Sequence, residues 1–374
     1  SIYYFIISMK NEDFRNYYKI IKDLDEGGYG KVCEACLINN EEEKRAIKLM
    51  NKNKIKQQLG RGKLKLPSDD EIKSYIHSFE NEVNNMKMIE GLNRENKNTV
   101  KYYESFLTKD EFAIVMELCD KNLLKKLLED NRPFNEEEIY DLLSQLNYTF
   151  RIMVETLLVH RDLKLENILI KYENKEKTKY TYKLTDYGSS KQLLSLTKKL
   201  QTKIGTCNYM APEVLEKYKT YNQECDLWSL GIIIYNLCFQ EYPYNVDDIN
   251  NPEAKTLDLI KEKGQTILKK HSNPDLDNLI KGLLIIKPEE RLTWKKYFDH
   301  PFFVNRDFRQ YYDLTELAKG GYGVVYRAQH KKNNQKRAIK VIEKKKIKEA
   351  LESKNLKSNN YINSLTYCEL VNRY

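Results

Sequence analysis

The sequence predicts an α+β chain: a small β-rich lobe followed by a larger α-rich lobe. Two observations carry this. Short runs of β-branched and aromatic residues crowd the first 120 positions, and from Asn135 onward the pattern turns mostly helical. Around Tyr18–Met50 such runs flank a glycine cluster and an Asn/Glu-rich turn, which predicts a β-meander. Phe79, Val83, Met86 and Ile89 recur at helical spacing. Tyr102–Phe106 and Phe112–Leu118 read as strands. Between the meander and the helix, residues 44–65 read as a mobile basic insertion, with Gly60, Gly62 and Pro67 nearby. It is a solvated loop or a partner site.

An internal repeat runs through the chain. Asp13-Phe14-Arg15-Asn16-Tyr17-Tyr18 returns as Asp307-Phe308-Arg309-Gln310-Tyr311-Tyr312. Gly27-Gly28-Tyr29-Gly30 returns as Gly320-Gly321-Tyr322-Gly323, and Lys44-Arg45-Ala46-Ile47-Lys48 as Lys336-Arg337-Ala338-Ile339-Lys340. A fainter echo sets Glu82 against Glu369. This organisation predicts an extension over 1–17, one long unit over 18–303, and a partial second start over 304–374. The second start is either a truncated tandem copy or the product of two genes joined in a gene model.

The net charge of +9 depends on that boundary. Residues 305–374 hold 16 of the 64 basic and 7 of the 55 acidic side chains, leaving 48 of each in residues 1–304. The long unit is therefore neutral, which argues against a nucleic-acid partner. No apolar run approaches the ~20 residues that span a bilayer, so no membrane partner is expected. Ile2–Ile7 lacks the basic lead and cleavage site of a signal peptide. Seven Cys, odd in number and without framework spacing, favour a reducing, cytoplasmic location. Because the first residue is Ser1, the expectation is a processed product, a fragment or an imperfect gene model, with Met9 as a candidate start.

The chemistry-bearing motifs follow in order. Asp25-Glu26-Gly27-Gly28-Tyr29-Gly30-Lys31-Val32 is a glycine-rich turn between strands, where backbone N–H groups can approach phosphate oxygens. An ordinary hairpin turn would read the same way. Lys48 sits on a strand between apolar neighbours, so it must snorkel or pair. His160-Arg161-Asp162-Leu163-Lys164-Leu165-Glu166-Asn167 joins a base, a cation and an amide within eight positions. Leu184-Thr185-Asp186-Tyr187-Gly188, Met210-Ala211-Pro212-Glu213, Asp226-Leu227-Trp228 and Arg291 complete the series.

In this order and spacing the series resembles the eukaryotic protein kinase family, serine/threonine type, from Tyr18 to Phe303. The resemblance implies the bilobal kinase fold, the cofactors ATP and Mg²⁺, and transfer of the γ-phosphate to protein Ser/Thr hydroxyls. It assigns Asp162 as base, Lys164 as the cation on the transferred group, and Asn167 and Asp186 as metal ligands. It gives Lys48 the α and β phosphates, oriented by Glu82, with Glu71 and Glu80 as weaker candidates. Gly27, Gly28 and Gly30 would cover the phosphates. Val32 and Ala46 would roof the adenine, and the hinge Glu117-Leu118-Cys119 would read its edge behind Met116. Glu213 and Arg291 match a buried ion pair, and Asp226 an anchor beneath the catalytic loop. Thr206 matches the Ser/Thr-type docking loop. Thr202, with Ser195 and Thr197 as alternatives, matches an activating phosphosite paired with Arg161, modified by an upstream kinase or by the protein itself. The last stretch, Arg291 to Phe303, resembles unc-51-like or calcium/calmodulin-dependent kinases.

Several positions depart from the family pattern. Asp25 holds the first glycine position, which predicts weaker ATP affinity. Tyr187 stands for Phe, and Leu165 and Cys207 each stand for Pro. A pseudokinase or scaffold that binds nucleotide without efficient transfer is the alternative reading. Cys33 and Cys36 have metal-like spacing, but on a strand they face opposite sides. No stretch fits a calcium loop.

Overall fold

A computed structural model describes residues 9–27, 30–52, 69–92, 96–193, 200, 205–216, 220–245, 252–304, 312–320, 323–331 and 336–342. The chain divides into two compact units, Ser1–Trp294 and Lys295–Tyr374.

In the first unit, alternation of apolar and polar residues produces strands β1 (Tyr18–Gly27), β2 (Gly30–Leu37) and β3 (Asn40–Asn51), then β4 (Tyr102–Leu107) and β5 (Glu111–Glu117). They form one antiparallel sheet in the order β1-β2-β3-β5-β4. Successive residues of a strand face opposite sides. Ile47 and Leu49 therefore point into a core with Phe14, Tyr18, Cys33, Ala35, Phe106, Ala113 and Val115. Ala46 and Lys48 take the other face, and Lys48 lies directly opposite Val32. The meander is as expected. The insertion is not as long as expected, because Lys44 pairs with Cys36 on β2 and Arg45 through Asn51 pair in register with β5. The remainder of that stretch lies outside the described residues.

Part of the segment before Tyr18 is knitted into this sheet. Lys10 forms a parallel bridge to Phe106 on β4, donating to Ser105 O at 3.0 Å and accepting from Leu107 N at 2.9 Å. Phe14 is 1 % exposed, held by a turn that the Asp13 side chain caps through Arg15 N. Helix α1 (Asp69–Leu92) buries Phe79, Val83, Met86 and Ile89, a stripe at helical spacing. Phe79 packs on Phe112 of β5 at 4.9 Å between ring centres.

The helical part begins with α2 (Leu123–Asp130), capped by Asn122, and α3 (Glu136–Glu155). In α3, Asn135 accepts from the Glu138 backbone while the Glu138 side chain returns to the Asn135 N–H, a reciprocal cap. After the short α4 (Pro212–Leu215), helix α5 (Glu224–Phe239) is buried without a break from Cys225 to Cys238. A helix apolar on every side belongs at the centre of a lobe. No described helix is long and apolar enough to cross a membrane. Strand β6 (Lys121–Asn122) pairs with β8 (Ile168–Tyr172), which pairs with β9 (Tyr180–Leu184). Strands β7 (Leu158–Val159) and β10 (Lys191–Gln192) also pair. Residues 160–167 thus lie in the loop from β7 to β8, and residues 185–190 in the loop from β9 to β10.

The second unit contains a three-stranded antiparallel sheet of β11 (Tyr312–Gly320), β12 (Gly323–His330) and β13 (Lys336–Ile342). Near its glycine turn and along β12–β13 its register repeats that of β1–β3, although the shift between Ile20 and Lys22 has no counterpart. Gly320 opposes Gly323 as Gly27 opposes Gly30, and Lys340 opposes Val325 as Lys48 opposes Val32. A register shift between Glu316 and Ala318 repeats the one between Asp23 and Asp25. Glu369 lies outside the described residues.

Candidate active site

Lys48 reaches from β3 to two acidic side chains. Its ammonium donates to both carboxylate oxygens of Glu82 on α1 at 2.8 Å, and to Asp186 Oδ1 at 2.9 Å. Of the three candidate acids on that helix, Glu82 is the partner. Glu80 lies 3.6 Å from His77 Nδ1, and the Glu71 side chain lies outside the described residues. Burial opposes the charge on Lys48, but the negative charges of Asp186 and Glu82 outweigh it and raise the ammonium pKa. The charge of Lys48 also holds the Asp186 carboxyl down at about 2, against the effect of burial. Burial pushes the Glu82 carboxyl up, against the pull of Lys48.

A second cluster surrounds Asp162. Thr206 donates to Asp162 Oδ1 through both its N–H and its hydroxyl, each at 2.9 Å. Lys164 Nζ lies 2.9 Å from Asp162 Oδ2 and donates to Thr206 Oγ1 at 3.0 Å. Asn167 Nδ2 donates to the Asp162 carbonyl at 2.8 Å, which turns its amide oxygen away from that contact. Asn167 and Asp186 flank the same end of the β8–β9 pairing, where Ile168 opposes Leu184 and Thr185 N donates to Asn167 O at 3.0 Å. An amide oxygen and a strongly acidic carboxylate are hard donors suited to Mg²⁺. Such a cation takes few protein ligands when phosphates supply the others. Cys33 faces Asp23 at 3.1 Å, and both Cys33 and Cys36 are buried.

The loop bearing Asp162 is held from below. Asp226 accepts from His160 N at 2.7 Å and Arg161 N at 2.9 Å. Arg161 adopts φ 70°, an unfavourable left-handed conformation that these two bonds help to fix. Its Nε donates to Ser189 O at 2.6 Å, tying this loop to the turn after Asp186. Gly205 has φ 129°, and a Cβ there would sit 2.6 Å from Arg161 O. Only glycine lets the Thr206 segment cross the catalytic loop so closely. Thr202, Ser195 and Thr197 lie outside the described residues. Deeper in the lobe, Arg291 and Glu213 pair at 2.7 and 2.9 Å, both essentially unexposed.

At the end of the small sheet, Gly27 opposes Gly30, and Gly28 lies outside the described residues. Gly30 has a packing reason of its own: a Cβ there would lie 2.1 Å from Leu49 O. Val32 and Ala46 share the face of Lys48, and Met116 opposes Ala46. The segment Glu117-Leu118-Cys119 is braced from behind by two lysines that sequence reasoning missed. Lys183 on β9 pairs with Glu117 at 3.0 Å and donates to Lys97 O at 2.7 Å. Lys171 on β8 donates to Leu118 O at 2.5 Å. The available signal was a lysine at each of two positions in otherwise apolar strands. Cys119 is shielded enough that burial pushes its thiol up to about 12.

The protein kinase domain family model matches residues 18–303. The chain is 32% identical over 285 residues to serine/threonine-protein kinase 33 of Bos taurus, covering 74% of this chain and 53% of that protein. It is 29% identical over 296 residues to serine/threonine-protein kinase cds1 of Schizosaccharomyces pombe, covering 77% and 58%. It is 33% identical over 226 residues to the probable serine/threonine-protein kinase nek3 of Dictyostelium discoideum, covering 59% and 19%. The matched region thus spans a fifth to under three fifths of these curated relatives. Its β-rich and helical parts, its paired lysine and acids, and the family match across 18–303 agree: the chain belongs to the protein kinase family.

Proposed function

We propose that the protein transfers the γ-phosphoryl group of Mg·ATP to Ser or Thr hydroxyls of protein substrates. The Lys48–Glu82–Asp186 cluster carries this reading, because it puts a fixed cation beside an acid suited to a metal. Mg²⁺, held by Asn167 and Asp186, would supply charge neutralisation at the phosphates. Asp162 accepts the proton of the incoming hydroxyl, and Lys164 offsets charge on the transferred group. Lys48, oriented by Glu82, binds the α and β phosphates beneath Gly27, Gly28 and Gly30. Val32 and Ala46 cover the adenine, and the backbone of Glu117 and Cys119 reads its edge. The preference for Ser/Thr is supported by Lys164 two positions after the base, by the Thr206–Asp162 bonds, and by the names of the relatives.

In this reading, catalysis belongs to residues 18–303, preceded by an extension over 1–17. Residues 304–374 are a partial second small lobe. An upstream kinase or the protein itself phosphorylates Thr202, in the cytoplasm. The neutral charge of residues 1–304 supports protein substrates over nucleic acid or membrane. The test is incubation with Mg²⁺, γ-labelled ATP and a basic protein acceptor, followed by phosphoamino-acid analysis. Label on serine and threonine is expected. Label on tyrosine alone, or none, contradicts the proposal.

A further inference from the structure

Asp186 adopts φ 63° and ψ 66°, a left-handed conformation that costs a non-glycine residue free energy. Such a residue stays put only where its surroundings over-determine it. Lys48 holds its carboxylate from one side. The next residue, Tyr187, is 0 % exposed and is fastened to three separate parts of the fold. Its carbonyl accepts from Asn85 Nδ2 on α1 at 3.3 Å, three positions from Glu82. Its ring lies 5.3 Å from the His160 ring on the catalytic loop. Its hydroxyl lies 2.9 Å from Thr99 Oγ1, and Thr99 is 5 % exposed.

The third contact is the informative one. A phenylalanine could make the other two. The hydroxyl needs a partner at that depth, because a buried unpaired hydroxyl is costly. Thr99 supplies one and can pass its own proton toward Leu184 O at 3.4 Å. Thr99 is itself pinned by the backbone, in a parallel bridge to Leu184, with Val100 N donating to Leu184 O at 3.0 Å. Tyr187 is thus tied to the strand end that precedes Asp186 and to the segment that follows α1.

We propose that the buried Tyr187–Thr99 hydroxyl pair is a latch that holds Asp186 in its Lys48-facing conformation, making Tyr187 and Thr99 positioning residues for phosphoryl transfer. The inference rests on the reading of Asp186 as the metal-holding carboxylate. Hydrogen exchange of the free protein does not depend on that reading, so the two can fail separately.

The experiment compares the full chain with Tyr187→Phe, Thr99→Val and the double variant. It reads amide exchange without nucleotide and kcat with saturating Mg·ATP. Each single change is expected to speed exchange in peptides covering 184–190 by about three- to tenfold, the scale of one buried hydrogen bond. Exchange in α5 should stay as in the parent, and kcat should fall. The double variant should be no worse than either single one, because both remove the same bond. Thr99→Ser, which keeps the hydroxyl, should recover most of the parent behaviour and guards against a merely misfolded valine variant. Unchanged exchange at 184–190, faster exchange with unaltered kcat, or multiplied effects in the double variant would each overturn the latch.

Discussion

The Lys48 ammonium stands 2.8 Å from both carboxylate oxygens of Glu82, a residue 34 positions away on a different element, and 2.9 Å from Asp186. The pair joins β3 to α1 and ties both to the turn that carries Asp186. Removing Lys48 leaves two acids, Glu82 of them buried, without their counter-charge. Lys48→Met should lower kcat by about 10²–10³-fold, the scale of losing one pre-oriented charge at a reacting phosphate. Glu82→Gln should give a smaller loss, because Lys48 keeps Asp186. Steady-state kinetics on both variants checks the order.

Arg291 and Glu213 meet in two parallel bonds with almost no exposure. Glu213→Gln should cost about 3–5 kcal/mol in urea denaturation, because a buried guanidinium loses its counter-charge. Replacing both residues with Met should cost less than that single change. The same denaturation series reads both outcomes.

Gly205 lets the Thr206 segment pass close to the loop that carries Arg161 and Asp162. A Cβ at φ 129°, 2.6 Å from Arg161 O, must push the Thr206 segment off the catalytic loop. Gly205→Ala should reduce kcat/KM for a peptide acceptor by roughly tenfold or more, since small displacements at a reacting centre are costly. The affinity for ATP, measured by direct titration, should stay near the parent value.

Acid sensitivity follows from Asp186. Its carboxyl is depressed from an ordinary 3.8 to about 2 by the charge of Lys48. A depressed acid contributes stability that is complete above its ordinary value and disappears as pH falls through the folded value. The parent should therefore lose more stability than Asp186→Asn between about pH 4 and pH 2. Urea midpoints collected across that interval test the sign.

Much of this site was legible because its chemistry is local in sequence. Asp162, Lys164 and Asn167 fall within six positions, and a loop that short can bring them together only in a few ways. The family resemblance favoured Glu82 over Glu71 and Glu80 as the partner of Lys48, and the packing of α1 on the sheet brings Glu82 to it. The braces Lys171 and Lys183, and the Thr99 partner of Tyr187, are long-range contacts with no periodic trace in the sequence. The anchoring of Phe14 was missed for the same reason: its burial is decided by strands far along the chain. The basic insertion was drawn from Lys44, inside a strand that the meander reading already carried to Met50, because the pairing of β3 with β5 is not visible in the sequence.

The central claim is that Asp162 takes the proton of an incoming hydroxyl. Asp162→Asn preserves size and can still accept from Thr206, but it cannot serve as that base. The decisive measurement is the rate of phosphoryl transfer from γ-labelled ATP by Asp162→Asn beside the parent, with ATP affinity determined in parallel. A rate about 10²–10⁴-fold lower at unchanged affinity is predicted. A variant that transfers phosphate as fast as the parent would contradict the account.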